Sequence, residues 1–314
     1  MRAVFRSVLL SAALLAVLVF SGCVTVKVNL FEEAEPLKEK VVSGKGWDKI
    51  LLLDISGMIM DKPRGRLWGL TGGTGPSRVK EELEKAAQDG RIKAVVVRIN
   101  SPGGTVNGAD MIHHELAAFK AKHHVPVVAC FLGLAASGGY YVAMAADVIV
   151  AQPANLTGSI GVLAMKPNLK GLMDKFGVEQ DVVKSGQWKD FWSPFRPANA
   201  AEKRMMQEII DDYHRRFVEV VATGRRLDQR QVAKLADGRI YTAARARDLG
   251  LVDKVGYLDE AIAEAKARAG LTEARVVVYH RPGTYRPTIY SLVPDLLGDM
   301  SPQFLYLWWP GEPG

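Results

Sequence analysis

Four short apolar runs, Ile50–Ile55, Lys93–Ile99, Pro126–Phe131 and Asp147–Ala151, limit the fold of this chain more than any other feature. They are rich in Val and Ile and are closed by turn signals, so they read as strands buried on both faces. Helical periodicity fills the gaps, over Ser77–Gln88, over Gly108–Lys122 and for a turn or more after Ser137. Strands alternating with helices in this way predict an α/β domain with a mostly parallel sheet. A long helix follows: Asn199 and Glu202 form a capping-box start, and Met206, Ile210, Tyr213, Phe217 and Val221 recur on one face, which reads as core or subunit interface. Gln231–Ala236, Ala243–Leu249 and Leu258–Ala269 add shorter helices, and Arg275–Tyr279 a last strand. With 314 residues, 48% apolar and 24% charged, the chain is large enough for one full core with appendages.

The first residues predict export. Arg2 and Arg6 precede an apolar run from Val8 to Phe20, which is shorter than the roughly 20 residues a spanning helix needs, and Ser21, Gly22 and Cys23 follow. Phe20-Ser-Gly-Cys23 resembles a bacterial lipoprotein signal, with Cys23 as the lipidated first residue of the mature chain, although leucine is usual where Phe20 stands. Cleavage elsewhere or a short uncleaved anchor are the alternatives, and all three place the body at the outer side of a bacterial membrane with membrane lipid as a partner. The expected division is a signal over 1–22, a tether over 23–47, the main domain over 48–281 and an aromatic, proline-rich tail over 282–314. With Cys23 lipidated, Cys130 has no disulfide partner and reads as a small buried hydrophobe. The net charge of +7 is dispersed among acids rather than gathered in a stripe, which argues against nucleic acid as a partner. The Gly- and Arg-rich loop Asp61–Pro76 lacks phosphate-cradle spacing and reads as a lid or a disordered segment.

Two glycine-flanked turns stand where chemistry could be done. Asn100-Ser-Pro-Gly-Gly104 follows a strand and would free backbone N–H groups to hold an oxyanion; a plain turn is the simpler reading of it alone. Ala135-Ala-Ser-Gly-Gly-Tyr-Tyr141 places the Ser137 hydroxyl at a helix start, as a nucleophile or as an ordinary N-cap. Both turns fall at strand ends, where open α/β sheets bind ligands. None of the six histidines sits in a local arrangement that marks a triad. A lysine serves as base when burial lowers its pKa from about 10.4 to about 7 or 8. Lys189 lies among aromatics in Ser185-Gly-Gln-Trp-Lys-Asp-Phe-Trp192, either in that role or with its stem packed on tryptophan and its amine in water.

In this order, Ser101-Pro-Gly-Gly104, Ala136-Ser-Gly-Gly-Tyr-Tyr141, Leu156-Thr-Gly-Ser-Ile-Gly161 and Lys184-Ser-Gly-Gln-Trp-Lys189 resemble the short form of the signal peptide peptidase A (protease IV) family. Asp237-Gly-Arg-Ile-Tyr-Thr242 and Gly250-Leu-Val-Asp253 extend the resemblance over about residues 48 to 265. It implies Ser137 as nucleophile, Lys189 as general base, Ser159 as a hydroxyl that orients the lysine, and N–H groups near Gly104 and Gly138 as the oxyanion hole. It implies the Clp protease/crotonase-like core of repeated strand-strand-helix units, here with added C-terminal helices. It further implies dome-like homo-oligomeric rings whose Ser and Lys can come from neighbouring subunits, and apolar peptides such as signal-peptide remnants as substrates, with no metal or organic cofactor.

Other readings carry less. Ser77-Arg-Val-Lys80 fits the S-x-x-K of penicillin-binding enzymes, but no Ser-Asp-Asn follows and Ser77 reads as a helix cap. A crotonase-type acyl-CoA enzyme would leave the serine turn unused. An inactive oligomeric scaffold would have no need of both Ser137 and Lys189.

Overall fold

The computed structural model describes residues 36–61, 73–280 and, by backbone alone, 303–307. Cys23, the rest of the first 35 residues, residues 62–72 of the Asp61–Pro76 loop and most of the tail lie outside the described residues.

The apolar runs form β2 (Lys49–Ser56), β3 (Ile92–Ser101), β5 (Val127–Ala136) and β6 (Val148–Ala151), which pair in parallel in that order. Their side chains divide by parity. Leu51, Leu53, Val95, Val97 and Ala129 face helices α1 (Pro76–Ala87) and α2 (Val106–His123), whereas Ile50, Leu52, Val96 and Val128 meet Ala261 and Ala265 of α8 (Leu258–Arg268). Both faces are therefore dry, which is why these strands carry no polar alternation. Cys130 is fully buried on the second face, and burial pushes its thiol up to about 11, so it is inert packing.

Among the described residues the main sheet has nine strands. β1 (Lys38–Gly44) and β11 (Arg275–His280) lie outside β2; β10 (Lys254–Val255) lies outside β6; β7 (Leu156–Gly158) extends β5 and pairs antiparallel with β9 (Ile240–Thr242). β11 runs parallel to β2, and β1 returns antiparallel to β11 with Lys38 opposite His280. Residues 38–44, within the stretch read as tether, are thus part of the sheet. Lys49 closes this corner: although almost fully buried, its ammonium donates to Glu39 at 2.6 Å and to Asp89 at 2.8 Å. A buried lysine without such partners would be strongly destabilising.

Helix α1 begins one residue before Ser77, with Gly75 as N-cap and Pro76 in the first turn, so Ser77 is a buried helical residue and not the cap expected. α3 (Gly138–Ala143) follows β5 directly. Beyond β8 (Leu163–Met165), the short helix α4 (Lys170–Phe176) buries no residue. The long helix α5 (Ala200–Arg225) starts at the expected capping box, and α6 (Gln229–Leu235) and α7 (Ala243–Asp248) complete the C-terminal helices. A second, three-stranded sheet sets β12 (Gln303–Leu307), from the tail, antiparallel between β4 (Gly103–Thr105) and β8. Among the described residues no helix is long and apolar enough to cross a membrane.

Candidate active site

Because β3, β5 and β7 run parallel, the residues that follow them gather on one rim of the sheet. Ala136 of β5 is in register with Gly158 of β7, so Ser137 and Ser159 are the next residues on two adjacent strands. Ser137 N–H donates to the Gly158 carbonyl at 2.8 Å, and the Ser137 carbonyl accepts from Tyr141 N–H at 2.9 Å. Both serines have positive φ, 53° and 49°. That conformation costs a non-glycine residue on the order of 1–3 kcal/mol and persists only where the surroundings impose it.

The surroundings of Ser137 are rigid. Tyr140 is fully buried and its hydroxyl donates to the Leu251 carbonyl at 2.8 Å; the Tyr141 hydroxyl donates to Asp110 at 2.6 Å, and Arg216 also donates to Asp110. A Cβ on Gly139 would stand 3.1 Å from the Ser101 carbonyl, so α3 lies directly against the end of β3. Ser137 is 1% exposed, and its hydroxyl neither caps α3 nor finds any other hydrogen-bond partner among the described residues. An unpaired buried hydroxyl costs about 1–3 kcal/mol, and a capping serine would not carry that cost. Ser137 thus stands at the N-cap position of α3 without making a capping bond.

The 100–104 turn is built with equal economy. The Ser101 hydroxyl donates to the Gly57 carbonyl at 2.6 Å and accepts from Gly103 N–H at 3.1 Å. Ile59 N–H donates to the Gly103 carbonyl and Thr105 N–H to the Ile59 carbonyl, both at 2.8 Å. N–H directions alternate along a strand, so Gly104 N–H points to the opposite edge, the one occupied by β12. A Cβ at Gly104 would lie 1.8 Å from the Ile59 carbonyl oxygen, so only glycine fits there. Gly138, first in α3, has a backbone N–H with no intrahelical acceptor.

Lys189 makes no hydrogen bond to Ser137 within the chain. It is exposed, in a series of tight turns after α4, and the burial expected for it is missing. The neighbouring residues hold an ion-pair chain that sequence reasoning missed. Asp190 accepts from Lys184 at 2.6 Å and from Arg196 at 3.0 Å, and Arg196 donates through both terminal nitrogens to Glu202, at 2.8 and 2.5 Å. Lys166 donates to the carbonyls of Ser193 and Arg196 and stands over the Trp192 ring. No histidine bonds the Ser137 hydroxyl either; His113 packs edge-on to Tyr141, and burial lowers its pKa to about 4. Among the described residues no group of His, Cys, Asp or Glu gathers to hold a metal ion.

The chain is 36% identical over 250 residues to a putative signal peptide peptidase SppA of Enterococcus faecium, an alignment covering 80% of this chain and 72% of that one. The family model for peptidase family S49 matches residues 119–272. The chain belongs to peptidase family S49. It is a serine protease, and its fold is that of the Clp protease group, whose family model matches residues 76–152. A putative protease of a Synechocystis species is 41% identical over 192 residues, covering 61% of this chain and 69% of the relative. Protease 4 of Salmonella typhi is 34% identical over 246 residues, covering 78% of this chain and 38% of the longer relative. Among solved structures, a mutant ClpP1 of Listeria monocytogenes aligns with a TM-score of 0.44 at 18% identity, over 67% of this chain and 94% of that one.

Proposed function

We propose that this S49 peptidase is a membrane-tethered endopeptidase of the outer face of a bacterial membrane, in which Ser137 is the nucleophile and Lys189 the general base. The carrying observation is the Ser137 hydroxyl: buried, strained, at the start of α3 and without a partner among the described residues. The missing partner is the base. Neutral Lys189 takes the Ser137 proton as Oγ attacks the peptide carbonyl, returns it to the leaving amine, and then activates the water that releases the acyl group. The N–H groups of Gly104 and Gly138 hold the oxyanion, and Ser159, beside Ser137 on the rim, orients the lysine.

Lys189 reaches the site from a neighbouring subunit of a homo-oligomeric ring. The segment that bears it exposes Met165, Leu172, Phe176, Val178, Val183 and Trp188, a concentration of apolar surface suited to burial against a second copy. Extended apolar peptides, signal-peptide remnants among them, are the proposed substrates. The edges of β4 and β8 already accept one extended strand, β12, antiparallel at the oxyanion turn. Main-chain pairing of that kind recognises a peptide with little regard to sequence. The name carried by the Enterococcus faecium relative agrees with this substrate class, and Cys23 in its lipoprotein-like context supports the tether.

The test is turnover of apolar peptides by the detergent-solubilised assembly, with mass spectrometry of the trapped acyl-enzyme. The adduct is expected on Ser137 and is expected to vanish in Ser137→Ala and Lys189→Ala. Hydrolysis surviving in both variants would sink the assignment.

A further inference from the structure

The base in the reading above sits on a loop that no hydrophobic core holds in place. Residues 177–189 are exposed throughout and α4 buries nothing, yet a catalytic group must be fixed to a fraction of an ångström. The shape of this loop must come from polar ties.

Those ties converge on the residue after Lys189. Lys189 N–H donates to the Gly186 carbonyl at 3.1 Å, Phe191 N–H to Trp188 at 3.0 Å, and Ser193 N–H to Asp190 at 3.2 Å, three successive tight turns. Arg196 grips Asp190 twice, through its carboxylate and through its backbone carbonyl, each at 3.0 Å. The far side of the same guanidinium is bidentate on Glu202, which is 1% exposed and is itself locked into the first turn of α5 by reciprocal 2.9 Å bonds with Asn199. Lys184 holds the second Asp190 oxygen, and Leu169 N–H ties the start of α4 to the Pro194 carbonyl at 2.8 Å. The planar fork of a guanidinium, with five N–H donors, serves the bidentate pair to Glu202 and both bonds to Asp190 together; an ammonium has three donors and no such fork.

We propose that Arg196 is a positioning residue for catalysis: by joining Asp190 to the buried Glu202 of α5, it fixes the backbone of Lys189 in the place from which the lysine serves Ser137. Cα atoms of successive residues are about 3.8 Å apart, so an anchored Asp190 leaves Lys189 little freedom beyond its own side-chain torsions. The capping role of Glu202 needs only Asn199, so the Arg196 bond adds something the helix start does not require. Arginine bonding holds both carboxylates below their usual range, Glu202 at about 2, so the chain of charges is intact at any pH where a lysine base works.

The inference rests on Lys189 as the base, and the experiment separates the two claims. Arg196→Met, Arg196→Lys and the near-isosteric Asp190→Asn are compared with wild type and Lys189→Ala in the assembled, detergent-solubilised protein, reading kcat and KM separately alongside Tm and oligomer size. For Arg196→Met the expected result is a kcat lower by about 10- to 100-fold with KM and assembly unchanged, since small misplacements of a catalytic group cost that much, together with a lower Tm because the buried Glu202 loses its partner. Asp190→Asn should show a smaller loss of the same kind with Tm unchanged, and Arg196→Lys should fail to restore kcat. An inactive Lys189→Ala beside wild-type kcat in Arg196→Met and Asp190→Asn overturns the positioning role alone. A fully active Lys189→Ala overturns both claims. A kcat loss seen only in Arg196→Met, with Asp190→Asn at wild-type kcat, or one that only accompanies dissociation, assigns Arg196 to stability and also overturns the inference.

Discussion

Mixing two dead variants should produce a live enzyme. Within one chain the Ser137 hydroxyl is buried and without a partner among the described residues while Lys189 is exposed, so the dyad proposed above would form between copies. In a closed ring every interface uses the same two patches in the same sense. A site in a mixed ring of Ser137→Ala and Lys189→Ala protomers then works only when a Lys189→Ala subunit supplies the serine and a Ser137→Ala subunit supplies the lysine. Each condition holds half the time at equal mixing, so roughly a quarter of the sites are complete. Activity across mixing ratios should follow the product of the two fractions, peaking at equal amounts. If both groups came from one chain, every site would lack one of them, and activity would stay at least about a thousandfold below wild type at all ratios. The assay is coexpression with two affinity tags, tandem purification of mixed assemblies, and hydrolysis of a fluorogenic apolar peptide. A mixture no more active than either variant, beside an active wild type, refutes the reasoning.

Other consequences are equally direct. Burial raises the Glu82 pKa from 4.5 to about 7 against the pull of Arg78, so the folded state binds a proton more tightly than the unfolded one; that stabilisation is complete below 4.5 and lost as pH rises through 7. Glu82→Gln should leave Tm unchanged near pH 4 and raise stability at pH 8 by on the order of 2 kcal/mol, and calorimetry showing a lower Tm at pH 8 would contradict this. Gly104→Ala forces a Cβ to within 1.8 Å of the Ile59 carbonyl, so β4 must move; kcat should fall about 100-fold or more, read by single-turnover acylation. Removing residues 303–314 vacates the edges of β4 and β8, and KM for extended peptides should drop severalfold with little change in kcat; an unchanged KM means β12 does not compete there.

The central sheet and its helices were legible because burial on both faces leaves a sequence trace: continuous Val and Ile runs, a capping box at Asn199, a turn at each strand end. β1 left none, since all seven of its residues are exposed and it is held by pairing with β11 and by Glu39 on Lys49. β4, β7, β8 and β9 span three residues each, too few for a period to register. The serines were individually visible, but their adjacency depends on the β5–β7 register, which no local pattern encodes. Lys189 was legible through its motif, and the burial expected from its aromatic neighbours is absent because Trp188 stays exposed and Phe191 and Trp192 are only half-buried. The Asp190–Arg196–Glu202 chain escaped notice for a related reason: charges six residues apart in a loop read as solvated until the turns bring them together.

The direction of β1 sets the polarity of the whole body. Lys38 lies opposite His280, and β11 runs with β2, so the chain enters the domain on the rim where Ser137 and the 100–104 turn lie rather than on the far side. The stretch between Cys23 and Pro36 spans at most about 45 Å when fully extended, about one body width. With the lipid anchor proposed above, the point where the chain enters the rim would be held within about one body width of the bilayer. A peptide leaving the membrane laterally would meet the cleft before one arriving from bulk solution, and the selectivity of such an enzyme would owe as much to where its opening points as to what its groove can bind.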